Sequence, residues 1–257
     1  MLNRLFDLSG RIALVTGGSK GIGKAIARGL AEAGADIAIA ARHEDQLRSA
    51  ADEIRDGLSV RVEYQVVDMN DRQQVDELAA WAIETLGKVD ILINNAGSNR
   101  PQSLVDIADQ DWDSILELNL TSCMRLARAV APGMIDRKWG RIVHLSSVMA
   151  LASNPGRGCY SATKAALLGM ARAHALELGP HGVTVNSLAP GPIATELPMS
   201  LLNDEQKRKF RDRTAVERWG QVSDLVGPAL LLASDAGAYI TGNVLLVDGG
   251  MLCRTFD

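Results

Sequence analysis

The 257-residue sequence predicts an α/β fold in which helices cover both faces of a seven-stranded parallel sheet. Short apolar runs rich in β-branched residues alternate with longer segments of helical periodicity. The predicted strands are almost continuously apolar, which is typical of parallel strands buried on both faces. No stretch has the composition of a linker, so residues 1–257 are expected to form one domain. We therefore predict a single-domain, doubly wound sheet of the Rossmann type.

The strands are placed where short apolar runs end in turn residues. They are predicted at residues 11–16, 36–41, 60–68, 90–97, 141–147, 183–190 and 244–250. The helices between them end at or near glycines or turn clusters. They are predicted near residues 22–34, 44–57, 71–87, 111–138, 158–179 and 222–235. Right-handed crossovers between the strands lay these helices against the sheet.

One segment interrupts the alternation. Residues 191–221 place a long polar and charged stretch after the sixth strand. Long insertions in compact domains are usually functional or mobile, so we interpret this one as a lid over the carboxyl ends of the strands. The alternative is a surface excursion with a solvated basic helix.

The composition argues against several kinds of partner and site. The formal net charge is −4 and the basic residues are scattered among acids, so no nucleic-acid partner is expected. No segment is apolar enough to span a bilayer, and the first apolar run is too short for a secretory signal, so we expect a cytoplasmic protein with no membrane partner. Cys123, Cys159 and Cys253 lack CxxC spacing and show no metal-site pattern with the histidines. We expect reduced thiols in or near the core and no catalytic metal.

The stretch TGGSKGIG, residues 16–23, lies between the first strand and the first helix. In this position backbone N–H groups and the helix dipole together favour an anion. Gly17 would permit the tight turn, Gly21 the close approach of a pyrophosphate, and Gly23 the close packing of helix on strand. The spacing is GxxxGxG rather than GxGxxG, and its place in a βαβ unit predicts a nucleotide site.

The second predicted strand ends in Ala41 and Arg42, without a carboxylate to bind a ribose 2′-hydroxyl. Arg42 and Lys20 supply two cations, which favours a 2′-phosphate and so NADP over NAD. Glu44 or Asp45 could be the missing acid only if the strand end is misplaced. Asp68, at the end of the third strand, is placed to accept from an adenine amino group, and a loop cap is its alternative role.

The stretch YSATK puts Tyr160 and Lys164 one turn apart on a predicted helix, roughly 6 Å along its axis. A phenol is a poor acid or base at neutral pH, but a neighbouring ammonium favours the phenolate, so Tyr160 becomes a usable proton shuttle. The fifth strand ends in Ser146 and Ser147, where a hydroxyl can orient a carbonyl or alcohol oxygen. These groups are expected to meet at one edge of the sheet.

Over essentially its whole length the sequence resembles the short-chain dehydrogenase/reductase family. The resemblance lies in TGGSKGIG (16–23), NNAG (94–97), Asn119 within LELNLTS, Ser147, YSATK (160–164), PGPIAT (190–195) and GNVLLVDGG (242–250). It implies that Tyr160 is the general acid/base, and that Lys164 promotes its ionisation and holds the nicotinamide ribose. It also implies that Ser147, thirteen residues before Tyr160, polarises the substrate oxygen and that Asn119 anchors a water in a proton relay.

The same resemblance implies an NADP site along the carboxyl ends of the strands. The expected cofactor-binding residues are Gly17, Ser19, Lys20, Gly21, Ile22, Gly23, Arg42, Asp68, Asn95, Ala96, Gly97, Tyr160, Lys164, Pro190, Gly191, Ile193 and Thr195. Thr195 would bind the nicotinamide carboxamide. His144 stands where the family often has asparagine, and no expected catalytic position is lost.

Family membership would imply hydride transfer between a nicotinamide and an alcohol/carbonyl pair, and leaves the substrate open. Arg100 and Arg157 could bind a carboxylate or phosphate at the pocket mouth, with Asn154 adding a hydroxyl contact; surface solvation of both arginines is the alternative. The opening of the chain looks like that of gluconate 5-dehydrogenase-type members, which favours a sugar acid or polyol substrate.

Two alternative functions stay open, and the assembly is predicted separately. A 3-oxoacyl-carrier-protein reductase would dock its acidic carrier on the basic residues Lys207, Arg208, Lys209, Arg211 and Arg213. A non-catalytic nucleotide-binding sensor would have no chemical need for the intact catalytic set. The apolar faces of the helices at 111–138 and 158–179 favour a homotetramer by family analogy, unless they pack on their own sheet.

Overall fold

Seven parallel strands are found in the computed structural model, which describes residues 2–253 apart from the side chains at 2, 197, 198 and 201. They are β1 (Ile12–Thr16), β2 (Asp36–Ala41), β3 (Val62–Val66), β4 (Ile91–Asn94), β5 (Gly140–Leu145), β6 (Val183–Pro190) and β7 (Val244–Val247). Each lies within or beside its predicted range, and the doubly wound parallel sheet is confirmed. Residue 1 and residues 254–257, which the predicted domain includes, lie outside the described residues.

The strand order is β3-β2-β1-β4-β5-β6-β7, so the chain winds outward from β1 to one edge and from β4 to the other. β1 pairs in parallel with both β2 and β4. In such sheets a ligand crevice forms at the carboxyl ends of the strands where the winding reverses. Here that point is bordered by Thr16 and Asn94, the last residues of β1 and β4.

Ten α-helices are assigned within the described residues. They are α1 (Leu2–Leu5), α2 (Gly21–Glu32), α3 (Glu44–Arg55), α4 (Arg72–Leu86), α5 (Asp109–Leu116), α6 (Ser122–Asp136), α7 (Gly158–Leu178), α8 (Glu196–Leu201), α9 (Asp204–Asp212) and α10 (Val226–Ala233). Helix α4 shows why the boundaries are readable from sequence. Asp71 accepts from the amides of Gln73 and Gln74 at 2.9 and 3.2 Å, and Gly87 ends the helix in the left-handed region at φ 97°.

The helices pack on both faces of the sheet. Adjacent residues of β1 point to opposite sides, so Val15 joins a core with α2, α3 and α10, whereas Leu14 joins a core with α4, α6 and α7. Both side chains are fully buried. Burial on both faces explains why the strands read as continuous apolar runs.

The helix predicted at 111–138 is divided in the structure. A π-helical turn, Glu117–Thr121, separates α5 from α6. π-turns within helices are rare and are frequently found at functional sites. This one contains Asn119, which is completely buried. Hydrophobic periodicity alone does not detect such a turn, because it shifts the helix face by only one residue.

The insertion at 191–221 contains α8 and α9 and is tied at both ends. The amide of Gly220 donates to Pro192 O at 2.9 Å, and that of Ala194 donates to Gly220 O at 2.8 Å. Within the segment, Trp219 Nε1 donates to Lys207 O at 2.9 Å, and its ring lies 5.4 Å from that of Phe210. These contacts hold the end of the insertion against α9.

One prediction about side-chain environment needs correction, and another is left untested. Cys123 and Cys159 are buried as expected, but Cys253 is exposed, because it ends a 3₁₀ turn, Met251–Cys253, that follows β7 at the surface. The apolar residues that suggested a homotetramer are partly used within the chain: Leu126 and Leu167 are fully buried against the sheet. The homotetramer stays a prediction.

Across residues 2–253 there is no helix with the length and apolar character needed to cross a membrane. The same residues contain no cluster of three or more histidine, cysteine, aspartate or glutamate side chains arranged to hold a metal ion.

Candidate active site

The glycine turn between β1 and α2 is shaped by two different constraints. Gly17 lies in the left-handed region at φ 65°, which lets the chain turn at the end of β1. At Gly23 the constraint is space: a Cβ would lie 2.3 Å from Gly17 O and 2.4 Å from Asn95 Nδ2. The first turn of α2 is therefore pressed against the end of β1, as the sequence predicted for Gly23.

The N-terminus of α2 has no side-chain cap. Lys20 occupies the N-cap position, and a lysine side chain offers no acceptor to the first amides of the helix. These amides face the crevice described above, since Gly21, Ile22 and Gly23 all line it. Uncapped N–H groups at the positive end of a helix dipole fit the pyrophosphate of a dinucleotide.

The turn that follows β4 is fixed to the glycine turn by hydrogen bonds. Asn95 Nδ2 donates to Thr16 O at 2.8 Å and to Gly17 O at 3.2 Å. Thr16 Oγ1 in turn accepts from the amides of Asn95 and Ala96, both at 3.0 Å. These hydrogen bonds therefore hold the NNAG turn, on one side of the crevice, against the glycine turn on the other side.

The crevice is a cleft of about 520 Å³. Most of the predicted cofactor residues line it: Gly17, Ser19, Lys20, Gly21, Ile22, Gly23, Arg42, Asp68, Asn95, Ala96, Gly97 and Thr195. Sequence reasoning missed further lining residues, among them His43, Gln46, Asn70, Ser98, Leu118 and Glu196. His43 and Gln46 follow Arg42 closely, and this proximity was the only available signal for them.

Five other predicted cofactor residues lie around β6 and α7 rather than in the lining of this cleft. Pro190 ends β6, and Gly191 follows it with its amide bonded to Val247 O at 3.0 Å. A Cβ at Gly191 would lie 2.7 Å from the Asp248 backbone. Ile193 is buried and bridges to Gly220, and Lys164 is buried in α7. Tyr160, also in α7, is half-buried.

The cationic end of the cleft agrees with the strand end predicted from sequence. β2 ends at Ala41, so Glu44 and Asp45 are the first residues of α3 and not an acid at the strand end. Lys20 and Arg42 both line the cleft. Lys20 Nζ lies 3.8 Å from Glu196 Oε2, with both side chains well exposed, so this ion pair is weak.

Asp68 has the loop-cap role that was the alternative of its two predicted roles. Its Oδ1 accepts from the Asn70 amide at 3.0 Å, which caps the turn after β3. The residue also lines the cleft, so an adenine contact stays a prediction.

The end of β5 and the start of α7 form a second cluster. Lys164 Nζ donates to Leu145 O at 2.6 Å and lies 5.6 Å from the centroid of the Tyr160 ring. Ser146 Oγ donates to Lys164 O at 2.9 Å, which ties the strand end to the helix. Lys164 is only 4% exposed, so its ammonium acts in a medium where charge interactions are strong. The structure therefore brings Tyr160 and Lys164 together as predicted.

Ser147 and Asn119 complete this cluster from different elements. Ser147 Oγ accepts from the Met149 amide at 3.1 Å, which leaves its own proton to be donated. Asn119 Nδ2 donates to Ser98 O at 2.9 Å and to Thr163 Oγ1 at 3.2 Å. Asn119 thus links the turn after β4 to α7.

Gly97 joins the cleft to the second cluster. A Cβ at this position would lie 3.1 Å from Asn119 Oδ1 and 3.5 Å from Lys164 Nζ. Because Gly97 also lines the cleft, a dinucleotide in the cleft would end beside Lys164 and Asn119. The side chains of the two clusters can therefore act on one bound molecule.

The predicted substrate residues are found in three different settings. Arg100 forms an ion pair with Asp111, whose other oxygen accepts from Gln102 Nε2 at 2.8 Å. The hydrogen bond from Gln102 and that from Arg100 lower the pKa of Asp111 below its usual range. The ionised Asp111 therefore serves as the counterion of Arg100 within the chain. Arg157 is half-buried at the N-cap of α7.

Asn154 lines a second cavity of about 190 Å³. The lining of this cavity includes Val148, the residue that follows Ser147. Val148, Met149, Met251 and Leu252 form its apolar walls, and Ser153, Asn154 and Arg213 its polar residues. Arg213 was named only as part of a basic surface, because its sequence neighbourhood gives no sign that it reaches this cavity.

A buried histidine lies behind the cluster. His144 Nδ1 is 3.1 Å from Asn94 Nδ2, and its Nε2 has no partner among the described residues. Burial, with smaller contributions from the charges of His174 and Lys164, lowers the pKa of His144 to about 3. The imidazole is thus neutral in the folded protein across the physiological pH range.

We expect this histidine to make stability fall with acidity. Unfolded, its pKa returns to about 6.5, so the unfolded chain binds the extra proton between about pH 6.5 and 3. The free energy of unfolding should lose about 3 kcal/mol from His144 between about pH 6.5 and pH 4.5. His144→Asn should flatten the pH dependence of urea unfolding by that amount, and identical pH profiles for the two proteins would contradict this.

Comparison with known proteins agrees with this geometry. The family model described as enoyl-(acyl carrier protein) reductase matches residues 17–252. A gluconate 5-dehydrogenase of Gluconobacter oxydans is 40% identical over 96% of each chain. A 3-oxoacyl-[acyl-carrier-protein] reductase of Vibrio cholerae is 39% identical over 95% of this chain and 98% of its own.

A solved structure gives the same result. The crystal structure of a gluconate 5-dehydrogenase from Burkholderia cenocepacia, in complex with NADP and tartrate, is 36% identical. It covers 99% of this chain and 100% of its own, with a TM-score of 0.93. The sequence, the sheet order and the two clusters together show that the chain belongs to the short-chain dehydrogenase/reductase family.

Proposed function

We propose that this protein is an NADP(H)-dependent oxidoreductase that interconverts a secondary alcohol and a ketone, with a sugar acid or polyol as its substrate. The observation that carries the proposal is the grouping of Ser147, Tyr160 and Lys164 at the end of β5 and the start of α7. Lys164 is within contact distance of a Cβ position at Gly97, which lines the dinucleotide cleft.

The residues of the cleft fit NADP(H). The amides of Gly21, Ile22 and Gly23 would hold the pyrophosphate, and Lys20 and Arg42 the 2′-phosphate. Asp68 would contact the adenine, while Lys164 and Thr195 would hold the nicotinamide riboside. When bound, the nicotinamide supplies or accepts the hydride.

The protein side chains manage the proton and the substrate oxygen. Ser147 donates a hydrogen bond to that oxygen, because its Oγ already accepts from Met149 N. Tyr160 delivers the proton to the oxygen during ketone reduction and takes it back during alcohol oxidation. Lys164 lies beside this phenol, with its Nζ 5.6 Å from the centroid of the Tyr160 ring. Asn119 would anchor the water of the proton relay through which Tyr160 regains its proton.

The insertion at 191–221 acts as the lid of this single catalytic domain. Thr195 and Glu196, at its start, line the cleft, and Arg213, near its end, lines the second cavity. One segment therefore contributes to both the cofactor side and the substrate side. Closing it over a bound dinucleotide would exclude water from the reacting atoms.

A sugar acid suits the polar residues of the second cavity. Ser153 and Asn154 offer a hydroxyl and an amide, and the Asn154 side chain makes no hydrogen bond within the described residues. Relatives named gluconate 5-dehydrogenase support this choice. A non-catalytic nucleotide sensor is not favoured, because it would not require the buried Lys164 beside Tyr160.

Reduction of a 3-oxoacyl thioester is the second candidate. The apolar walls of the same cavity, formed by Val148, Met149, Met251 and Leu252, favour it. An acidic carrier protein would dock on the basic helix α9. There Lys209 is paired with Glu205 at 2.8 Å, which weakens that surface.

A direct comparison of substrates tests the proposal. NADPH oxidation is followed with 5-keto-D-gluconate and, in parallel, with an acetoacetyl thioester. We expect the larger kcat/KM for the keto acid, because an acyl chain would offer no polar partner to Asn154 and Arg213 in the cavity lining. A larger kcat/KM for the thioester would reject the sugar-acid assignment in favour of the second candidate.

Assembly and location are further parts of this proposal. Family analogy favours a cytoplasmic homotetramer. Leu104, Val105 and Leu176 expose 92%, 89% and 81% of their surface, and such apolar side chains are suited to burial between subunits. A mass measurement in solution tests the tetramer.

A further inference from the structure

The second cavity has a charged end without a counterion. Arg213 lines it together with Asn154 and Ser153, and the guanidinium forms no ion pair within the described residues. Lys207 and Arg208 also form no ion pair within the described part of the insertion, but neither lines this cavity. Other cations of the insertion do have acidic partners. Lys209 pairs with Glu205 at 2.8 Å, and Arg218 pairs with Asp224 at 2.6 Å. Arg213 is therefore a cation at a cavity wall whose charge is left for a ligand.

The backbone at Arg213 is held firmly although its side chain is exposed. The next residue, Thr214, is 1% exposed, and its Oγ1 donates to Arg211 O at 2.8 Å and lies 3.0 Å from Arg218 O. Two residues further on, the Val216 amide donates to Gly249 O at 3.2 Å. This network ties the end of α9 to the turn after β7. Arg213 is thus presented from an ordered turn, which lowers the entropic cost of binding a ligand.

Another part of the cavity lining is tied to the reacting centre. It begins at Val148, directly after Ser147, and Met149 donates its amide to Ser147 Oγ at 3.1 Å. In a keto sugar acid, several carbon atoms separate the carboxylate from the ketone. When the ketone oxygen is bound by Ser147, the carboxylate has to be received some distance away along the cavity. Arg213 and Asn154 supply a cation and an amide there.

We propose that Arg213, assisted by Asn154, binds the carboxylate of the substrate and so determines specificity for an acid over the corresponding neutral polyol. This rests on the proposed function, and it assigns the charge recognition to the insertion rather than to Arg100 or Arg157. Arg100 is already paired with Asp111. A guanidinium binds a carboxylate through two parallel hydrogen bonds, which the single point charge of a lysine does not reproduce.

Oxidation of D-gluconate and of D-glucitol with NADP⁺ tests this inference, because the two differ only in the carboxylate. Arg213→Ala should raise KM for gluconate roughly 10- to 100-fold and leave kcat nearly unchanged, with little effect on glucitol. Arg213→Lys should recover only part of the affinity. Arg208→Ala removes the same charge from α9 at a position outside the cavity lining. It should change KM for neither gluconate nor glucitol. Equal effects of Arg213→Ala on both polyols would overturn the inference.

A second measurement separates this inference from the proposed function. Both polyols are titrated calorimetrically into the NADP⁺-saturated protein without following turnover. Preferential binding of gluconate that is lost in Arg213→Ala but kept in Arg157→Ala supports the anchor, even if gluconate is not oxidised and the sugar-acid function fails. Equal binding of the two polyols, no binding of gluconate, or loss only in Arg157→Ala overturns the assignment to Arg213.

Discussion

Tyr160→Phe is expected to lower kcat for ketone reduction by roughly 10³-fold or more and to leave the dissociation constant of NADPH nearly unchanged. The substitution removes one oxygen and keeps the ring, so the packing of α7 is preserved. Without the hydroxyl, the cluster loses its phenolic acid: the Ser147 alcohol is a much weaker acid, and Lys164 Nζ is anchored by its hydrogen bond to Leu145 O at 2.6 Å. NADPH oxidation measures the first quantity and fluorescence titration the second.

A second tyrosine provides the matched control. Tyr239 is fully exposed to solvent. Tyr239→Phe therefore removes the same oxygen at a surface position and should leave kcat unchanged. If Tyr160→Phe retained wild-type turnover, the acid/base assignment would be wrong, and the chemistry would have to use another group. If NADPH binding were lost along with turnover, Tyr160 would be needed for the cofactor instead.

Replacing Lys20 and Arg42 together with alanine should reduce kcat/KM for NADPH by roughly 10²- to 10⁴-fold while changing that for NADH little. Each cation is expected to make a charge-assisted hydrogen bond to the 2′-phosphate, and NADH lacks that group. Both side chains line the cleft, and β2 ends without a carboxylate that would favour NADH. The double variant should therefore lose its discrimination between the two cofactors.

Two nearby cations serve as the control for this experiment. Lys24 pairs with Glu53 at 2.6 Å and Arg48 with Glu44 at 3.0 Å, and neither Lys24 nor Arg48 lines the cleft. The double alanine variant at these positions removes the same net charge and should keep the NADPH preference. An equal loss of activity with NADPH and NADH in the Lys20/Arg42 variant would contradict the phosphate assignment.

Local sequence patterns were sufficient to predict those features that depend on residues only a few positions apart. Tyr160 and Lys164 meet because residues four apart on a helix share a face, and this geometry holds in any fold. The need for glycine at position 23 was readable because a turn directly before a helix leaves little room beside the strand. The strand ends were recovered for the same reason: burial on both faces selects β-branched and apolar residues up to the point where the chain leaves the sheet.

Other features depend on which distant segments meet. The π-turn that places Asn119 against Ser98 and Thr163 keeps helical dihedrals closely enough that hydrophobic periodicity does not reveal it. From sequence, Arg213 was interpreted only as one of several basic residues in the insertion. In the structure, Thr214 and Val216 fix the turn that carries it, and Arg213 lines the same cavity as Val148.

The amino-acid order by itself determined the sheet, the glycine turn and the Tyr160–Lys164 pair, since each follows from steric and hydrogen-bonding rules that act over a few residues. The tertiary structure alone decided which cations are neutralised, as Arg100 is by Asp111, and which face open space, as Arg213 does. Charge pairing acts through space over a few ångströms, and residues that are distant in sequence reach that range only when the sheet and the insertion have folded together.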